Sequence, residues 1–251
     1  MSSRPLARGV ESRMRFSRIF SLGDRKNPTS WTPAIVLNES DPILPISIAP
    51  FISSRESSTL PATISISTRG KFCFPFDGLD QWSSVEGLIL PPSLADSNSG
   101  KSSKGDEILL VSWQSLHHEK SLINDDLNPS IVVLVDSLQL VQNQGMLVDA
   151  IDAIRIKFPT SLIWTPGIGG PDNCALLSWL GVDLFDLSRS RSAAALNIII
   201  TSFGPREVDN STNEKADMES QCEEWKKSIS ATRAAIRDGS LRELAEKQSL
   251  S

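Results

Sequence analysis

The chain has 251 residues, 39% of them hydrophobic, which is enough for one sizeable buried core and excludes a chain too polar to fold. Lys and Arg number 25 against 30 Asp and Glu, a net charge of −5, so a globally basic nucleic-acid binder is excluded and any phosphate contact must come from a local cluster. Cys73, Cys174 and Cys222 are odd in number and far apart, no apolar run is long enough to span a bilayer, and no secretory signal is read. A disulfide framework and a membrane protein are therefore not expected, and a cytoplasmic protein is.

In chain order the first feature is a basic arm. Residues 1–26 hold Arg4, Arg8, Arg13, Arg15, Arg18, Arg25 and Lys26 against Glu11 and Asp24. Such an arm either touches RNA backbone or is simply solvated; its Arg- and Ser-rich composition could be mistaken for a transit peptide, but no cleavable presequence is expected. The expected division is an arm over 1–13 and one globular domain over 14–251, with a helical tail from about 214. Short β-like runs follow at 16–22, 34–37, 45–49 and 63–68, separated by Pro and Ser clusters. Runs at 87–90 and 108–113 flank a polar, aperiodic segment over 93–106 that reads as a loop. Within it, SNSGKS at 97–102 is not a P-loop, because Ala95 stands where the first glycine is required. His117 and His118 adjoin Glu119, but sequence neighbours rarely point the same way, so no metal pair is expected.

From residue 131 the pattern becomes alternating strand and helix. Residues 131–135 form a continuous apolar strand, and 144–157 place Met146 with Ala150, and Leu147 with Ile151 and Ile154, on one helical stripe. Residues 161–165 (SLIWT) read as a buried strand, and Pro166-Gly167-Ile168-Gly169-Gly170 as a turn that gives φ > 0 or lets a ligand approach the backbone. Pro171 stands near the first position of a helix running to about Trp179 and ending at Gly181. Residues 182–186 (VDLFD) form a strand with Asp186 at its carboxyl end, where catalytic groups gather in α/β barrels. This alternation predicts parallel strand pairing. A further β-rich run covers 197–201, and 214–247 reads as a long polar helical tail carrying Arg233, Arg237 and Arg242 at near-helical spacing. Those arginines fit a solvated face or an RNA contact.

The segment TPGIGGPDNCALLSWLGVDLFD resembles the tRNA-guanine transglycosylase superfamily, most closely the transglycosylase-like amino-terminal domain of archaeosine synthase. The matching features are Pro166-Gly167, the helix with Ala175-Leu176-Leu177, and the phrase from Leu180 to Asp186. Weaker similarities stand in the family's order: Trp31-Thr32-Pro33-Ala34, the strand and helix start over 131–140 (IVVLVDSLQL), and residues 235–244 as a closing helix. The resemblance implies an α/β fold of the (β/α)8 TIM-barrel type, irregular or incomplete, with a long C-terminal helix. It implies tRNA as partner and, in active relatives, exchange of a tRNA base through attack of a carboxylate on the ribose C1′. The nucleophile of that reaction maps onto Asp186, and the arginines that grip tRNA in the family onto Arg189 and Arg191. Asp136 is the best candidate for the second acid the reaction needs, and the turn glycines Gly167, Gly169 and Gly170 are, on their own residue pattern, candidates for holding a substrate or tRNA phosphate at a helix amino terminus.

Departures from the family are equally informative. The "DSGGFQ" and "GLAVGE" motifs that shape the base pocket are missing; Asp136-Ser137-Leu138-Gln139 is only superficially similar to the first. The zinc ligands have no counterpart, since only Cys222 and no His follows Asp186, so neither metal nor cofactor is expected. The carboxy-terminal RNA-binding domain of relatives has no counterpart either. The leading expectation is a degenerate or partner-dependent subunit of archaeosine-type tRNA modification, binding tRNA or a protein partner that carries the zinc and RNA-binding domains. An active base-exchanging transferase is the alternative, and an unrelated small-molecule barrel enzyme the third. Each site residue also has a structural reading: Asp186 caps the segment over 188–196 or pairs with Arg189, Asp136 and Asp183 are structural acids, and the glycines make a tight connection.

Overall fold

A run of short, doubly covered strands forms the framework. The computed structural model describes residues 8–23, 26–38, 40–54, 64–67, 108–117, 128–143, 145–208 and 215–249. Three strands, β1 (Arg8–Met14), β2 (Ser17–Gly23) and β3 (Pro28–Trp31), make an antiparallel sheet in that order. Then come β4 (Ala34–Asn38), β5 (Phe51–Ser54), β6 (Ile64–Ser67), β7 (Ile108–Val111), β8 (Ile131–Leu134), β9 (Leu162–Trp164) and β10 (Leu184–Asp186). These seven form one sheet in the order β6-β5-β4-β10-β9-β8-β7, with every neighbouring pair parallel. All four residues of β8 and all three of β9 are buried, the near-continuous apolar pattern of strands covered on both faces.

The helices are α1 (Trp113–His117), α2 (Ser137–Leu140), α3 (Met146–Lys157), α4 (Cys174–Leu180), α5 (Ser188–Ala195), α6 (Met218–Asp238) and α7 (Leu241–Ser249). A hairpin, β11 (Ile198–Thr201) with β12 (Gly204–Glu207), separates α5 from α6. The expected α/β class and parallel pairing are therefore found. A closed barrel is not identified among the described residues, but the strands follow chain order around the sheet and the first, β4, lies beside the last, β10.

Several boundaries differ from the sequence reading. Residues 45–49 are a turn, in which Ile48 and Ala49 both donate backbone N–H groups to the Pro45 carbonyl, and the strand comes later, as β5. Pro45 and Pro50 have no N–H for a ladder, which explains the shift. Pro171 lies three residues before the first helical residue, Cys174. Residues 8–13 of the basic arm are paired as strand in β1. Residues 87–90, the loop over 93–106 with its SNSGKS stretch, His118, Glu119 and Cys73 lie outside the described residues.

The polar tail is instead a wall of the core. Cys222, Trp225 and Ile229 of α6 join a cluster with Phe185, Ile35 and Ile163 from the sheet. Asp217 caps this helix by accepting the Ser220 N–H at 2.9 Å, and the helix stops at Gly239, with α7 turning back onto α4. Arg233 is neither solvated nor offered to RNA. It is 8% exposed and donates to the Pro33 carbonyl at 2.8 Å, and burial pushes its guanidinium down to about 10. At the amino end of β9 and β10, Arg155 and Asp183 form a buried ion pair, with Asp183 also accepting the Ile163 N–H at 2.8 Å. Burial pushes the Asp183 carboxyl up while Arg155 pulls it back.

Candidate functional site

The carboxyl ends of β8, β9 and β10 bring most of the sequence-predicted residues together. Asp186, the last residue of β10, is 4% exposed. Its Oδ2 accepts the Gly167 N–H at 2.9 Å and lies 3.4 Å from the Trp164 indole N–H, and its Oδ1 accepts the Ser188 N–H at 2.8 Å. A carboxylate has about four lone-pair sites. Three of the donors that meet them here belong to the chain itself. The carboxylate thus ties the end of β10 both to the turn after β9 and to the first residue of α5. It does not pair with Arg189.

That turn is built around its glycines. Gly167 has φ +80, and a Cβ there would meet the Leu138 side chain at 3.0 Å. Gly169 lies against Phe185, with 2.6 Å left for a Cβ, and Gly170 against Asp172 and Arg189. Asn173 closes the turn from inside: its Oδ1 accepts the Gly170 N–H at 2.8 Å and its Nδ2 donates to the Ile168 carbonyl at 2.9 Å. Side chains of the protein occupy the close approaches at Gly169 and Gly170.

The two arginines are also engaged. Arg189 makes a two-pronged ion pair with Asp172, Nη1 to Oδ1 at 2.9 Å and Nη2 to Oδ2 at 2.8 Å, fastening α5 to the segment before α4. Arg191 pairs with Asp41, in the segment after β4, and donates to the Ser188 hydroxyl at 3.0 Å. Both guanidinium groups keep about a third of their side chain in solvent, 33% for each.

Asp136 stands beyond the end of β8 and is 7% exposed. Its Oδ2 accepts the Trp113 N–H at 2.9 Å, while its Oδ1 has no hydrogen-bond partner among the described residues. Burial pushes this carboxyl up, and the Trp113 N–H partly opposes the shift. The neighbouring Ser137 hydroxyl donates to the Pro166 carbonyl at 2.8 Å, so the turn at 166–167 links the segment of Asp136 to Asp186. Thr165, fully buried in the same turn, has a hydroxyl oxygen without a partner among the described residues.

Sequence reasoning missed Asp41, Asp172, Asn173 and Ser137, the partners of the expected residues. Asp172-Asn173 directly before an apolar helix is a capping signal that marks the turn as self-bonded. Asp41 carries no such local signal, because its partner is 150 positions away. His117 has its Nδ1 2.8 Å from the Trp113 carbonyl and its ring 4.0 Å from the Trp113 ring. Among the described residues no three His, Cys, Asp or Glu side chains converge as for a metal ion. No helix among them is long and apolar enough to cross a membrane. No family model matches the chain, and no curated protein matches it.

Proposed function

We propose that this chain is a transglycosylase-like subunit of archaeosine-type tRNA modification in the cytoplasm, which binds tRNA without exchanging its bases and depends on a partner for chemistry. The observation that carries the reading is the state of Asp186. A nucleophile needs a lone pair aimed at the ribose C1′ and a path for that ribose to reach it. Asp186 is buried and held by Gly167, Ser188 and Trp164, so the residue at the nucleophile's position serves as a brace. The glycine turn and the two arginines are likewise bonded inward. The family framework is supported by the cyclic strand order, with β4 beside β10, which is the order a (β/α)8 barrel requires.

One observation favours the alternative of an active transferase using Asp186 and Asp136. Asp136 keeps a buried oxygen, unpartnered among the described residues, at the same end of the sheet, where a second acid would act on the base. Trapping separates the two. The full chain is incubated with tRNA and a replacement base, then run on a denaturing gel. The subunit reading expects tRNA retained under native conditions and no covalent adduct. An adduct that disappears in Asp186→Asn establishes the transferase instead.

A further inference from the structure

We infer that the face formed by the β1–β2 turn, α4 and α7 is a binding site for an unpaired RNA nucleotide, its base in an apolar cavity beside Trp179 and its phosphates on Arg13 and Arg15. The inference deepens the proposed function and rests on its premise that the chain binds RNA. The cavity has a volume of about 280 Å³ and is lined by Leu176, Trp179, Arg242, Ala245, Glu246 and Ser249. Arg242 is neutralised there by Glu246, with Nε to Oε1 at 2.7 Å.

The β1–β2 turn supplies the unneutralised charge. Arg15 has φ 59, a left-handed conformation that non-glycine residues rarely adopt, and its guanidinium carbon lies 5.6 Å from the centroid of the Trp179 ring. Arg13 is held beside it, donating Nε–H to the Arg15 carbonyl at 3.0 Å. Both are exposed, and neither pairs with a carboxylate of the described residues. Arg15 thus stands against a half-buried indole that walls an apolar cavity, with Arg13 bonded to the same turn, and neither cation is paired among the described residues.

That combination fits a nucleotide better than an apolar peptide. An aromatic wall stacks on any base face, and adjacent cations track the phosphates. An apolar partner alone would leave Arg13 and Arg15 without counter-charge. The site also joins segments far apart in the chain, the amino-terminal arm and α7, both of which meet Trp179. Because α4 runs from the carboxyl end of β9 back to the amino end of β10, Trp179 near its end lies toward the end of the sheet opposite Asp186. Binding here is separable from any chemistry at Asp186.

The test uses the full chain, a labelled unstructured oligoribonucleotide and, in parallel, intact tRNA. Trp179→Leu and the cavity-filling Ala245→Met are expected to weaken oligonucleotide binding roughly tenfold. Arg13→Gln combined with Arg15→Asn, the latter chosen because Asn tolerates the left-handed turn, is expected to weaken it and to flatten its salt dependence by about 0.7 for each phosphate no longer neutralised. Both of those positions are exposed, so the urea unfolding midpoint is expected to stay unchanged. Unaltered affinity in the arginine variant overturns the inference. Binding of tRNA without binding of the oligonucleotide overturns it too, while leaving the subunit reading intact. Oligonucleotide binding that is lost in the variants, in a chain that does not bind tRNA, supports the site and overturns the tRNA reading. Binding of neither RNA overturns both.

Discussion

At the scale of single residues, the two acids near the turn at 166–167 ask for opposite experiments. Asp186 accepts backbone N–H groups on both oxygens, so Asp186→Asn must turn an amide NH₂ toward one of those donors. The expected cost is about 1 to 3 kcal/mol of unfolding free energy, read by urea denaturation. An unchanged midpoint would mean that Asp186 is not a brace. Asp136 carries a carboxyl raised by burial, with one oxygen unpartnered. As pH falls through its folded value toward its unfolded one, the folded chain takes up the proton first and the wild type gains stability. Asp136→Asn has no such gain. The variant is therefore expected to be more stable than wild type at neutral pH, with the difference shrinking on acidification, as urea midpoints across a pH series would record.

At the scale of elements, the turn between β9 and α4 is the joint on which the site depends. Gly167→Ala would place a methyl group 3.0 Å from Leu138 at φ +80, and the loss expected is about 1 to 2 kcal/mol in the same urea measurement. Much of this joint is legible in the sequence. The strand, the glycine turn, the left-handed stop at Gly181 (φ +112) and the strand ending on Asp186 all carry local signals, and they are where those signals put them. What local signals do not carry is the destination of each polar group. Arg189 and Arg191 are free cations on paper, and their partners Asp172 and Asp41 become visible only in three dimensions. β1 is illegible for a related reason: among the described residues it pairs with β2 alone, at the edge of its sheet, and residues such as Val10, Glu11 and Arg13 are exposed, so its sequence has little of the apolar pattern that marks a strand. The last helices read as a polar tail because their polar face dominates the composition, while Cys222, Trp225 and Ile229 recur at helical spacing on the face that is buried.

At the scale of the whole molecule, α6 holds the sheet's last strand in place. Trp225 is fully buried, its ring 5.7 Å from that of Phe185 in β10 and its indole N–H donating to Ser190 at 2.9 Å. Trp225→Ala is expected to cost about 3 to 5 kcal/mol, a large share of the stability of a typical domain. Calorimetry should show a much lower melting temperature. A small shift would mean that α6 is peripheral to the core.

The adjacency of β4 and β10 has a consequence in time. Ala34 lies beside Leu184, and Arg233 reaches the Pro33 carbonyl across 200 positions of sequence. During synthesis the amino-terminal strands leave the ribosome long before the residues that cover them, and contacts of such wide separation form slowly. β4 must then wait for β10 and α6 until those residues have been made. The native state is closed by the late arrivals.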